Sequence, residues 1–199
     1  MQVETVYVDS NAMDRAVKDH CKNLEMLGSG LYGRVFGANS TPHVVKIMRA
    51  HDRGYRAWAE VCQAFAQDNS YMPKIIRAVQ YIARDSSPEH EKGYAPTDCM
   101  VFYIEALSKN VSYSSDRRIR RSTGFYRVMQ RLSDILYSLQ QDEDQHGFQY
   151  RLEQFRPVHR DMLAMLLLAK SQCENRVFDL HCGNAMMRGR QLVIVDPLC

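Results

Sequence analysis

The chain lacks a dominant charge: 26 Lys and Arg against 23 Asp and Glu leave a formal +3 and a pI near 8.5. That field is too weak to recruit nucleic acid or an anionic membrane by itself, so partners have to be argued locally. Its six cysteines, at 21, 62, 99, 173, 182 and 199, show neither the paired spacing of a zinc site nor the density of a disulfide scaffold, and a reducing cytosol suits them. No basic-then-apolar leader opens the sequence, and its longest apolar run, residues 162–169, is too short to cross a bilayer. The expectation is a cytoplasmic protein with no membrane partner. Repeats and low-complexity segments are absent too. At 199 residues and 45% hydrophobic content, the chain can bury one real core and carry one catalytic unit.

What is present is patterned. Residues 24–45 alternate short apolar runs with the turn residues Gly28, Gly30, Gly33, Gly37, Asn39, Ser40 and Pro42, which predicts three strands of a small antiparallel sheet. Across residues 53–67, Ala57, Val61, Ala64 and Phe65 recur at helical spacing, and Glu60 lies beside that stripe. Residues 75–82 and 100–107 are rich in β-branched and aromatic side chains, and the polar stretch 84–98 between them reads as a hairpin loop. Beyond Leu107 the character changes to apolar helical runs at 124–141 and 155–170, which puts a boundary near Lys109.

Three features carry chemistry. Gly28-Ser29-Gly30-Leu31-Tyr32-Gly33-Arg34-Val35 matches G-x-G-x-x-G-x-V, where glycines let backbone N–H groups approach phosphate oxygens. A dinucleotide fingerprint would need a helix after it, and although Asp52 lies at a suitable distance, Gly37, Asn39, Ser40 and Pro42 forbid that helix. A Walker loop fails as well, because Arg34-Val35 stands where Lys-Ser/Thr is needed. Taken alone, the stretch could equally be a Gly-rich hairpin with no ligand.

The second feature is Lys46, one amine in the apolar run Val44-Val45-Lys46-Ile47, with Glu60 as the natural partner that would fix it for clamping phosphates. The third lies near the C-terminal end. Asp179 is followed five residues later by Asn184, and the strand 192–195 delivers Asp196. Phosphoryl transfer needs one carboxylate to orient the attacking hydroxyl, which suits Asp179, and oxygen ligands for magnesium, which suits Asn184 and Asp196. His181 stands close enough in sequence to donate to the transferred group. Met186 could floor the base, though a core methionine is its default reading.

In order and spacing these residues resemble the protein-kinase-like superfamily over roughly residues 24–197. The resemblance implies an α+β, two-lobed fold. Its N-terminal lobe, residues 1–108, would be an antiparallel sheet with one helix, binding ATP through Gly28, Ser29, Gly30, Gly33, Val35 and Lys46. Its reduced helical C-terminal lobe, 109–199, would carry Asp179, His181, Asn184 and Asp196. The segment Ile104 to Lys109 is hinge-like, so that main-chain groups of Glu105 and Leu107 would take the adenine edge. The implied cofactors are ATP and Mg²⁺.

The departures from the family pattern are informative. Val177-Phe178-Asp179 replaces His-Arg-Asp, Asp196-Pro197 replaces Asp-Phe-Gly, and neither an activation segment nor a peptide-docking lobe is visible. The form is similar to aminoglycoside- and choline-type phosphotransferases, and more closely to the early serine/threonine kinases of T-seven-like bacteriophages, which implies host bacterial proteins as substrates. Two alternatives stay open: a small-molecule phosphotransferase, and a catalytically idle kinase-like protein that inhibits a host partner.

His159-Arg160-Asp161 spells the kinase triplet but is followed by Met162-Leu163-Ala164-Met165-Leu166, with no Asn for magnesium, and reads instead as near the start of a helix. The arginines at 117, 118, 120, 121, 127 and 131 suit a solvated face better than a nucleic-acid site, since Tyr113 and Tyr126 are too few for a stacking platform. Ser112, Ser114, Ser115 and Ser122 beside them offer hydroxyls for self-phosphorylation, with none standing out.

Overall fold

A computed structural model of the chain describes residues 3–9, 11–30, 32–38, 40–65, 71–83, 98–109, 130–134, 157–173, 178–180, 184–189 and 191–198. The fold is α+β, and the chain divides into two compact units, Met1–Arg56 with Lys74–Ala106 and Ala57–Pro73 with Leu107–Cys199. No described helix is long and apolar enough to cross a membrane.

The first unit is built on a six-stranded sheet. Its strands are β1 (Val3–Val8), β2 (Glu25–Ser29), β3 (Gly33–Gly37), β4 (His43–Arg49), β5 (Ile75–Ala83) and β6 (Cys99–Glu105), in the spatial order β1-β5-β6-β4-β3-β2. Four of the five strand pairings are antiparallel, but β1 lies parallel to β5, Val3 opposite Ala78. The sheet is therefore mixed, not purely antiparallel as the sequence pattern suggested.

It also carries a helix that the pattern did not predict, α1 (Ala12–His20), in addition to α2 (Arg53–Phe65). Both omissions have a physical cause. Along β1 the burial does not alternate cleanly, and Glu4 and Thr5 face water at a sheet edge. Helix α1 has only nine residues, too few to be stable without tertiary packing.

Packing and caps hold α1 in place. The Asn11 side chain accepts from the N–H groups of Met13 (3.0 Å) and Asp14 (3.3 Å). Ala12 and Ala16, both fully buried, let the helix approach the sheet and join Phe36, Val45, Ile47, Val79, Val101 and Cys99 in one core cluster. At the far end of α1, His20 lies between two tyrosines. Its Nε2 is 2.8 Å from the Tyr81 hydroxyl and its Nδ1 is 2.6 Å from that of Tyr103. Because Tyr81 donates to Asp19 (3.0 Å), its oxygen accepts from Nε2–H, and Tyr103 donates to Nδ1. Burial lowers the pKa of His20, which keeps the ring neutral and suited to that chain of bonds.

Helix α2 starts at a buried cap: Asp52 Oδ1 accepts from the Tyr55 N–H at 3.2 Å. Its first turn belongs to the first unit and the rest, from Ala57 on, to the second. The second unit adds a three-stranded sheet of β7 (Ser108–Lys109), β8 (Ala185–Arg188) and β9 (Gln191–Ile194), helical residues 130–134, and α3 (Pro157–Ser171).

Arg188 donates to the Met72 carbonyl (2.8 Å), and Ile194 N–H to that of Tyr71 (2.9 Å), which ties the segment after α2 to the β8–β9 hairpin. Helix α3 begins at Pro157, where a missing N–H costs nothing, and it buries Met162, Leu163, Leu166 and Ala169 along one side. The His159-Arg160-Asp161 triplet lies in its first two turns. The cysteines at 21, 62, 99 and 173 are buried, and burial pushes the Cys21 thiol up to about 11.

Candidate functional site

Strand register assembles the polar and glycine positions of the first unit. Gly28 pairs with Val35, Val35 with Lys46, and Lys46 with Phe102, a single cross-strand row over β2, β3, β4 and β6. Directly paired residues point to the same face, and neighbouring strands lie about 4.8 Å apart. Lys46 thus shares a face with Gly28 and Val35, about 10 Å from the glycine. Val45 and Ile47, its neighbours along β4, point the other way into the core under α1.

The turn itself is tight, closed by the Gly30 N–H on the Gly33 carbonyl at 2.9 Å. Its glycines fall into two kinds. A Cβ on Gly33 would lie 2.7 Å from the Ile47 carbonyl oxygen and 2.9 Å from Met48 Cβ, so packing demands glycine there. A Cβ on Gly28 or Gly30 would meet nothing within 4 Å, and neither has a positive φ. Neither close packing nor a positive φ requires those two glycines, although Gly28 adjoins a register shift in the β2–β3 pair, and each costs unfolded-state entropy. Ser29, between them, ends β2 and is exposed.

Lys46 is half-buried, and its Nζ lies 3.4 Å from the centroid of the Tyr55 ring. Glu60, half-buried on α2, falls in the second unit, so its expected pairing with Lys46 joins residues of different units. Glu105 ends β6. Its N–H donates to the Lys74 carbonyl (3.1 Å), and its side chain accepts the Lys74 N–H (2.8 Å). Leu107 opens the second unit just before β7.

In the second unit, hydrogen bonds bring the candidate base Asp179 and the candidate ligands Asn184 and Asp196 together. The Asn184 amide nitrogen donates to the Asp179 main-chain carbonyl at 2.7 Å and to Asp179 Oδ2 at 3.1 Å. Asp196 is fastened on both sides to the same two residues. Val195 N–H donates to the Asn184 carbonyl (2.9 Å), and Asp179 N–H to the Pro197 carbonyl (2.8 Å), beside the bridge between Phe178 and Leu198. All three residues are half-buried. Met186, in β8, is opposite Val193 and half-buried between the buried Ala185 and Met187. His181 lies outside the described residues, as do Arg117 to Arg127 and the serines among them.

This donor set fits a hard cation. Two oxygens facing Asn184 Nδ2 fix the orientation of that amide and leave its Oδ1 on the opposite side as an oxygen ligand. Asn184 Oδ1 and the Asp196 carboxylate are both hard oxygen donors, the ligand type magnesium takes. Among the described residues no group of three or more His, Cys, Asp or Glu is placed to hold a metal.

No protein-family model matches the chain, and no curated protein matches it. Function must therefore be argued from these residues. One feature that the sequence reading missed is Tyr55, which sits on α2 outside the apolar stripe counted there. Nothing in a helical pattern announces that a ring will face an amine on a neighbouring strand.

Proposed function

We propose that this chain is an ATP- and Mg²⁺-dependent phosphotransferase of protein-kinase-like, two-lobed form that passes the γ-phosphoryl group to Ser or Thr of host bacterial proteins. The observation that carries the reading is the Asp179–Asn184–Asp196 arrangement. One carboxylate is held by an amide whose oxygen faces away, and the main chain on either side of Asp196 is bonded to the same pair. Such a set supplies a base with a fixed position and two oxygen ligands, the parts that phosphoryl transfer asks of a protein.

In this reading Asp179 orients the acceptor hydroxyl and takes its proton. Asn184 Oδ1 and Asp196 hold the metal, which when bound neutralises charge on the phosphate oxygens. Lys46 binds phosphate, Glu60 orients Lys46, and His181 donates to the transferred group. Gly28 and Gly30 let main-chain N–H groups come close to phosphate, which accounts for two glycines that packing does not require. Val35 and Met186 would line the base, with main-chain groups of Glu105 and Leu107 at its edge. The choice of a protein acceptor follows from the sequence resemblance.

The test is γ-labelled ATP with a bacterial lysate, comparing wild type with Asp179→Ala. Label on protein bands that disappears in the variant supports the reading. Consumption of ATP with a small acceptor alone moves the activity to small-molecule phosphotransfer. No transfer, with host proteins still co-purifying, makes the chain an inhibitor by contact.

A further inference from the structure

The amine of Lys46 sits against an aromatic face. Its Nζ is 3.4 Å from the centre of the Tyr55 ring, and Phe102, the cross-strand neighbour of Lys46, braces that ring edge-on at 5.3 Å and 67°. Tyr55 is 1% exposed and Phe102 0%, so neither ring has room to swing. The main chain of Tyr55 is pinned as well, through its N–H on the buried Asp52 carboxylate. An ammonium at this distance from a desolvated ring is attracted to the negative charge of the π face.

We propose that Tyr55 is a positioning residue for Lys46. Its ring holds the ammonium on the sheet face that carries Gly28 and Val35, and so presents it to a phosphate. A ring has an advantage over a second carboxylate here. It attracts the cation without adding negative charge beside a triphosphate, so the seat need not be vacated when the nucleotide arrives. The catalytic consequence rests on the phosphotransferase reading, whereas the seat itself rests on the geometry alone.

Two measurements separate these. The first is the rate at which Lys46 is acylated by acetic anhydride, followed by peptide mass spectrometry. It is read in wild type, Tyr55→Phe, Tyr55→Leu, and chains bearing at position 55 phenylalanines of increasing ring fluorination. The ring face favours the ammonium over the neutral amine that reacts. Tyr55→Phe should therefore label like wild type, with labelling rising stepwise as fluorine drains the ring, to about three- to tenfold for Tyr55→Leu.

The second is the KM for ATP, which should rise with the labelling rate while kcat changes less. Equal labelling across the fluorinated series, or Tyr55→Phe behaving like Tyr55→Leu, overturns the proposal. If Tyr55→Leu does not fold, the fluorinated rings, which keep the shape, decide alone. Wild type that labels as expected but turns over no ATP leaves the aromatic seat standing and overturns the phosphotransferase reading and the positioning role with it.

Discussion

The two units fix their polar groups by different means. In the first, Gly28, Val35 and Lys46 are placed by strand register, one from each of three neighbouring strands, and each position depends on backbone pairing far more than on the identity of the residue. In the second, Asp179, Asn184 and Asp196 are placed by four hydrogen bonds, two of them from a single amide nitrogen. Register tolerates substitution but not slippage, since a shift of one residue would turn Lys46 into the core under α1. The bonded loop depends on one side chain: exchanging Asn184 removes the amide that holds Asp179, while the two main-chain bonds on either side of Asp196 remain.

The sharpest way to break this contrast lies in the loop. Asp179→Ala or Asp196→Ala should lower phosphoryl transfer by about a hundred- to ten-thousandfold with little change in thermal unfolding, as a labelled-ATP assay beside calorimetry would show. Asn184→Ala removes the amide that holds Asp179 and should cost about 1–3 kcal/mol in urea unfolding. If it proves neutral, the hydrogen bonds do not organise the loop.

In the sheet, the glycines make the complementary test. Gly33→Ala pushes a methyl against the Ile47 carbonyl and should destabilise by about 1–3 kcal/mol. Gly30→Ala, with open space around it, should stay within about 0.5 kcal/mol while weakening nucleotide binding, measured by titration calorimetry.

The smallest effect concerns pH. Burial outweighs the opposing Asp19 carboxylate, with Arg77 adding to burial and Glu4 opposing it, and His20 titrates below its ordinary 6.5 in the folded chain. Its contribution to stability is therefore full above the unfolded value and is lost as pH falls through 6.5 toward the lower folded value. Urea midpoints should decline on going from neutral pH to about pH 5, and less so in His20→Gln. An equal decline in both would show that the Tyr103–His20–Tyr81 chain is not the sensor.

That division also explains what could be read from one sequence. Strands β3 to β6 and helix α2 were legible because alternation and helical spacing survive wherever one face is buried, as along Val45 and Ile47 or Ala57 and Val61, whereas β2, exposed throughout, was legible from the glycines around it. Strand β1 and helix α1 were not. A parallel edge strand beside distant residues has no hairpin signal, and a nine-residue helix with small buried alanines shows hardly any apolar stripe. At the loop, the spacing from Asp179 to Asn184 and on to Asp196 pointed to three residues that hydrogen bonds link. It could not say that Asn184 would grip Asp179 or that Val195 and Pro197 would anchor the main chain beside Asp196. Those bonds depend on main-chain groups, which every residue has and no residue type advertises. The Tyr55 ring lay equally out of reach, because its partner comes from another element.

The parallel seam between β1 and β5 bears on how the molecule is made. Residues 3–8 leave the ribosome long before 75–83 exist to receive them, and no local turn can hold them in waiting. During that delay Val6 and Val8 are unsheltered, and the receiving margin of β5, once formed, is a row of unfilled backbone groups inviting any passing strand. Strand β1 thus has to wait for β5 before it can pair, and a chain trimmed of it would keep its Lys46 row intact yet be prone to clump.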